Sequence, residues 1–204
     1  VIYQTQTWGS DGGYAIHRET SGTAFGAAYT SFDGSYTAQG KPTSAAWSNG
    51  AAEAWSYDSA TGALTQGVVT GVANTAYAEI DTLYGANGQP TQKTWLTTDG
   101  SIYQTQTWGV DGASTLHRNF AGTAFGLAYS SLDAIYDAQG RRTSQTLSSG
   151  VAETWSYQSD GANAMTAVLP DGGAYKQVVY VYDAANALQA TAKDFAASDA
   201  GSLQ

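Results

Sequence analysis

A block of 57 residues returns one hundred positions later without a gap. VIYQTQTWGSDGG at Val1 reappears as SIYQTQTWGVDGA at Ser101, and HRETSGTAFGAAYTSFD at His17 as HRNFAGTAFGLAYSSLD at His117. YTAQGKPTS at Tyr36 becomes YDAQGRRTS at Tyr136, and AAEAWSY at Ala51 becomes VAETWSY at Val151. Roughly 34 of the 57 paired positions are identical. A fixed period marks an array in which each unit completes its core against its neighbours. It divides the 204 residues into a first superrepeat, 1–100, and a second, 101–204, with no separate linker. The later parts have diverged, yet KTWLTTDGS at Lys93 still matches KDFAASDAGS at Lys193, and the closing GSLQ resembles the opening of a third copy. The expectation is a piece of a longer array, with which the leading Val in place of Met agrees.

A shorter rhythm runs inside each superrepeat. YTAQGKPT (Tyr36), YDSATGALT (Tyr57), YGANGQPT (Tyr84), YDAQGRRT (Tyr136), YQSDGANAMT (Tyr157) and YDAANALQAT (Tyr182) share a Tyr, a few small polar residues, usually a Gly, and then a new strand. The flanking segments alternate as strands do. In SIYQTQTWG, Ile102, Gln104, Gln106 and Trp108 point one way and Tyr103, Thr105 and Thr107 the other; in VVYVY, Val179 and Val181 oppose Tyr180 and Tyr182. Asp-Gly pairs at Asp11, Asp99, Asp111, Asp160 and Asp171 suit hairpin turns that need positive φ. The Ala-rich run after Tyr182 has a helix-friendly composition, but its match to YGANGQPTQKTWLTT predicts turn and strand instead.

Composition agrees with an all-β chain and removes several functions. There are 14 Tyr, 6 Trp and 5 Phe beside 24 Gly and only 3 Pro, a mixture that fits pleated, half-buried surfaces joined by tight turns. The net charge is −9 with 8 Lys plus Arg, and no basic cluster exceeds Arg141-Arg142. Nucleic-acid binding needs a basic stripe to displace phosphate counterions, so no nucleic-acid partner is expected. No apolar run is long enough to span a bilayer as a helix, and membrane insertion is not expected. Cysteine is absent, which excludes disulfides and thiolate metal sites.

The Y-D-x-x-G-R-x-T core at Tyr136 resembles the YD repeat, or Rhs repeat, of bacterial secreted and cell-surface proteins. YDAQGRRTS is the close match and the other five cores are partial. The resemblance implies tandem β-hairpins stacked into an extended or spiralling sheet, a β-solenoid-like array. It also implies an extracellular or cell-surface location, in toxin shells, surface proteins or adhesion. The structural repeat core it assigns is Tyr36, Gly40, Tyr57, Tyr84, Tyr136, Asp137, Gly140, Tyr157 and Tyr182. A shell-closing segment of the PxxxxDPxG type does not occur in these residues, and the regular superrepeat looks more like a fibre or adhesin stalk.

Residues that could carry chemistry recur at equal phase. His17-Arg18 and His117-Arg118 hold both histidines, and duplication at one phase favours a structural use over a catalytic base. Calcium is the one cofactor left open for the carboxylates, although neither the GGxGxD rhythm nor an EF-hand loop occurs. Trp8, Trp55, Trp108 and Trp155 recur in phase and would serve as glycan contacts if exposed, or as sheet-packing aromatics if covered. Gln4 and Gln6 with Gln104 and Gln106 suggest hydrogen-bonded ladders between stacked copies. The expectation is a non-enzymatic structural module whose partners are neighbouring repeats or further copies, with a carbohydrate-binding module as the alternative.

Overall fold

The computed structural model describes residues 3–73, 76–171 and 175–195. The expected start of a third copy at Gly201 and the Gly of the Asp171-Gly172 pair lie outside the described residues. Every regular element among the described residues is a strand, and the strand order in the sheet is the chain order. The strands are β1 (Gln4–Trp8), β2 (Tyr14–Ala24), β3 (Ala27–Tyr36), β4 (Pro42–Trp47), β5 (Ala52–Tyr57), β6 (Leu64–Thr70), β7 (Glu79–Tyr84) and β8 (Pro90–Leu96). Then follow β9 (Ile102–Trp108), β10 (Ser114–Ala124), β11 (Leu127–Tyr136), β12 (Arg142–Leu147), β13 (Ala152–Tyr157), β14 (Asn163–Val168), β15 (Tyr175–Tyr182) and β16 (Leu188–Phe195). Contacts divide the chain into two compact units, Val1–Thr105 and Gln106–Gln204. The fold class is all-β, built of tandem antiparallel hairpins.

Register decides which side chains share a face, because directly opposed residues point the same way. In the first unit one continuous row runs Ile16, Gly34, Ala45, Glu53, Val69 and Ile80. The equivalent row of the second unit is Leu116, Ala134, Gln145, Glu153, Ala167 and Val178. Leu116, Ala134, Glu153, Ala167 and Val178 are buried, so this is the covered face. Phe125, Met165, Tyr175 and Tyr180 pack against the cluster of Ala167, Leu169 and Val178. The opposite face carries Thr, Ser, His and Asp and is largely exposed: Ile135 and Val168, which point that way, are about half exposed.

One turn recurs through both units. The amide of Thr37 donates to the Lys41 carbonyl at 2.8 Å, and Gly40 donates back to the Thr37 carbonyl at 2.9 Å. Asp137, Gly140 and Arg141 repeat this at 2.9 Å for both bonds. The pattern is that of a three-residue hairpin loop whose last member is left-handed. Gly40 and Gly140 hold that place at φ +77° and +75°.

The Asp-Gly pairs use the same loop rather than a two-residue turn with both residues at positive φ. At Asp11 only Gly12 is left-handed, and the Asp carboxylate accepts the Gly13 amide at 3.0 Å. Asp99, Asp111 and Asp160 likewise accept the amide two residues on. After Tyr182, Asn186 takes the left-handed place at φ 62°, and the Ala-rich run becomes turn and strand β16 as its repeat phase predicts.

The hairpin joining β2 to β3 was not expected from its residues. Phe25 and Gly26 are both left-handed, as are Phe125 and Gly126 in the joint between β10 and β11. A two-residue loop requires that geometry, which an aromatic residue does not favour. Packing holds it: the Phe25 ring meets Trp47 edge-on with centroids 5.4 Å apart, and Phe125 is part of the second unit's core. Asn49 clamps the first joint, donating to the carbonyls of Ala24 and Ala27 at 3.0 and 2.9 Å.

Candidate functional site

The six Tyr of the short repeat share one structural position. Tyr36, Tyr57, Tyr84, Tyr136, Tyr157 and Tyr182 each end a strand directly before a turn. All six are partly covered. Tyr57 donates its hydroxyl to the Pro42 carbonyl at 2.8 Å, and Tyr157 does the same to the Arg142 carbonyl at 2.7 Å. Each ring thus ties one hairpin to the one before. Tyr36 stacks on Tyr14 with centroids 4.8 Å apart, and Trp8 leans on Tyr14 at 5.0 Å.

Asp137 holds its turn with both carboxylate oxygens. Oδ1 accepts the amides of Gln139 and Arg141 at 3.0 and 2.9 Å, and Oδ2 pairs with the Arg141 guanidinium at 2.7 Å. Burial pushes this carboxyl upward, but the bonds and charge of Arg141 outweigh it and hold the group below the usual carboxylate range. The Arg141 guanidinium also lies 4.7 Å from the Tyr157 ring centroid. The turn carboxylates at Asp11, Asp58, Asp137 and Asp183 are therefore occupied with backbone amides of their own loops.

The four recurrent Trp do not share one environment. Trp8 is 68% exposed, whereas Trp55, Trp108 and Trp155 are partly covered. Trp155 lies under the Arg142 guanidinium at 5.1 Å, and Tyr136 lies 5.9 Å from the same group. Arg142 donates to the Gln145 amide oxygen at 2.7 Å, and Gln145 donates to Glu153 at 3.3 Å. Burial raises the Glu153 carboxyl and Arg142 offsets part of that rise; burial alone raises Glu53.

The histidines lie on the opposite face. His17 engages Asp33 through Nδ1 at 2.8 Å and Glu19 through Nε2 at 3.0 Å. His117 repeats this with Asp133 at 2.8 Å and Asn119 at 3.3 Å. Both ring nitrogens therefore have a side-chain partner in each copy. Glu19 and Asp33 raise the His17 pKa above its ordinary 6.5. Beside Asp33 a groove of about 270 Å³ runs over small side chains, among them Ser44, Ala46, Ala54 and Thr70.

Gln4 and Gln106 make their bonds to the neighbouring strand rather than in ladders between copies. Gln4 lies directly opposite Arg18 and accepts from it at 2.7 and 3.1 Å, and Gln106 donates to Ser114 at 3.2 Å. Their partners are on the adjoining strand, because register brings β2 and β10 within side-chain reach first. Sequence reasoning also passed over Asn49, Arg142 and Glu53. The only available signal was their divergence from Ser149, Pro42 and the environment of Glu153 at the 100-residue offset.

No family model and no curated protein matches the chain. Among solved structures it is similar to a chain of the crystal structure of TcdB2-TccC3-TEV, at 13% identity and a TM-score of 0.24, covering 82% of this chain and 12% of that one. It is also similar to a chain of the crystal structure of TcdB2-TccC3-Cdc42, at 14% identity and a TM-score of 0.32, covering 88% and 12% respectively. This chain thus spans about 12% of the length of the solved chains it matches. The fold class rests on the ladders and turns themselves.

Proposed function

We propose that the chain is a non-enzymatic structural repeat module of a large secreted or cell-surface bacterial protein, serving in a fibre, an adhesin stalk or a shell. The observation that carries this is the use made of the recurrent residues. The repeated Tyr end strands, Tyr57 and Tyr157 tie one hairpin to the one before, the turn Asp cap backbone amides, and the repeated His engage side chains of their own sheet. Residues kept at constant phase are occupied with architecture, as a stacked array requires. The YD-repeat resemblance of the Tyr136 core supports the same reading. No cofactor is part of the proposal.

A modular array tolerates addition of whole periods. Inserting a second copy of residues 101–200 is expected to leave the circular dichroism per residue unchanged and to lengthen the particle in negative-stain images. Loss of cooperative unfolding, or aggregation of the lengthened chain alone, would overturn the proposal.

Glycan binding has one observation in its favour, the exposure of Trp8 at the end of the aromatic run through Tyr14 and Tyr36. A glycan array separates the two readings. Specific binding that is lost in Trp8→Ala would establish a carbohydrate-binding module; no specific binding leaves Trp8 to sheet packing.

A further inference from the structure

The segment IYQTQTW occurs twice, ending at Trp8 and at Trp108, and its two copies meet different surroundings. In β9 it has β8 in front of it in the strand order. There Gln104 is only 6% exposed, and Tyr103 and Thr105 are partly covered. In β1, the first strand of that order among the described residues, Tyr3, Gln4 and Thr5 are all exposed, Tyr3 at 70%. The same residues are covered once and bare once, and the sheet differs there by one flanking strand.

The backbone of β1 is laid out for a second partner. The Tyr3 carbonyl accepts the Glu19 amide at 2.9 Å and the Gly9 amide donates to the Gly13 carbonyl at 2.7 Å, in the register that pairs Gln4 with Arg18 and Trp8 with Tyr14. Antiparallel ladders alternate, so Thr5 and Thr7 also turn their amides and carbonyls to β2, while those of Gln4, Gln6 and Trp8 point away from it. Edges that must stay single are blunted by charge, Pro or a bulge. β1 has none of these: QTQTW is uncharged and pairs with β2 without a break in register. The outer strand at the other end of the order, β16, is the repeat equivalent of β8, with Lys193 for Lys93 and Phe195 for Trp95. A Lys at that place is compatible with pairing. Lys93 lies over the Trp95 ring at 5.7 Å and β8 still carries β9; Lys193 lies over the Tyr175 ring at 4.8 Å. Tyr77, seven residues before Tyr84, meets the Tyr103 ring with centroids 5.9 Å apart, and Tyr175 stands seven residues before Tyr182.

We propose that β1 is a docking edge for a second copy of this chain, which lays the outer edge of its β16 antiparallel along it, so that Tyr3 of one copy meets Tyr175 of the other as Tyr103 meets Tyr77. Resting on the repeat-module reading, this pairing makes between copies the joint that β8 and β9 make within one. Strand addition of this kind takes its affinity from main-chain hydrogen bonds and its register from alternate side chains. Because β1 and β16 are different strands, each joined copy keeps one edge to offer, and the assembly grows head to tail instead of closing as a symmetric dimer.

Sedimentation of the 204-residue chain over a concentration series tests the docking edge, and growth past the dimer with rising concentration is expected. Gln6→Pro removes an amide that points away from β2 and leaves those that β2 uses. It should keep the wild-type circular dichroism and raise the concentration needed for association about tenfold or more, with Gln6→Ala behaving as wild type. A capped peptide of sequence IYQTQTW, added in excess, should shorten the assemblies and shift the amide NMR signals of residues 188–195. If Gln6→Pro disturbs the dichroism, the peptide decides alone. A monomer up to about 1 mM overturns the proposal, as does a dimer that grows no further. So does a well-folded Gln6→Pro that associates as wild type, or a peptide that binds away from β16. Any of these leaves the module reading standing, because insertion of a period within one chain does not depend on association between chains.

Discussion

A β-carbon placed on Gly140 would meet no atom within 4 Å, so the cost of a substitution there is the left-handed backbone alone. Gly140→Ala is expected to lower stability by about 1 kcal/mol in chemical denaturation, with Gly140→Asn costing less. At Gly71, also left-handed, the added carbon would run into the Gly50 carbonyl oxygen, and Gly71→Ala should cost clearly more. Ser149 stands where Asn49 clamps the first unit, and its hydroxyl is buried without a partner. Ser149→Asn should restore the clamp across the Phe125-Gly126 joint and add about 1 kcal/mol, read as a higher denaturation midpoint. His17 titrates above its ordinary 6.5 because Glu19 and Asp33 favour the imidazolium. Its contribution is therefore fully present below the unfolded value and is lost as pH rises through the folded value. The melting difference between wild type and His17→Gln should shrink as pH is raised from about 5.5 to about 8.5, and an NMR titration of Glu19→Gln should show a lower His17 pKa than wild type.

At the scale of the hairpin, sequence and structure agree where a residue has a local reason for its conformation. The Gly of each short repeat occupies the left-handed place because the loop closes only with such a residue, and Asn186 takes that place because its short polar side chain tolerates it. The Ala-rich run after Tyr182 follows its repeat phase into β16 rather than its helix propensity, since pairing with β15 outweighs a weak local preference. The Asp-Gly pairs were legible as turns but not as this turn: the Asp caps the loop with its side chain instead of sharing the left-handed conformation.

The Phe-Gly joints were not legible, because the residue that makes them is held by packing from strands distant in sequence. Phe125 supplies both the turn and part of the core around Ala167, Leu169 and Val178. Phe125→Ala is therefore expected to cost about 1–3 kcal/mol despite its loop position, with an exposed loop change such as Gln139→Ala near zero in the same assay. Glu53 shows the same limit for the candidate site. Its lack of a partner among the described residues follows from the cross-strand register, which puts Ala45 directly opposite it where the second unit has Gln145.

For the whole chain, the hundred-residue period was the feature from which strands, turns and their recurrence could all be read. It left open whether equivalent residues stack on one another, as in a solenoid, or whether each strand pairs only with its chain neighbours. The ladders are antiparallel and sequential: Tyr36 lies opposite Tyr14 and Pro42, and Tyr182 opposite Asn163 and Leu188. The central claim is that the recurrent residues build this succession of hairpins. Cross-strand NMR contacts test it most directly. The account predicts backbone and ring contacts between Tyr14 and Tyr36, between Tyr157 and Asn163, and between Tyr182 and Leu188, with strand chemical shifts through residues 188–195. Contacts instead between residues one full period apart, such as Tyr36 with Tyr136, or helical shifts after Tyr182, would contradict it.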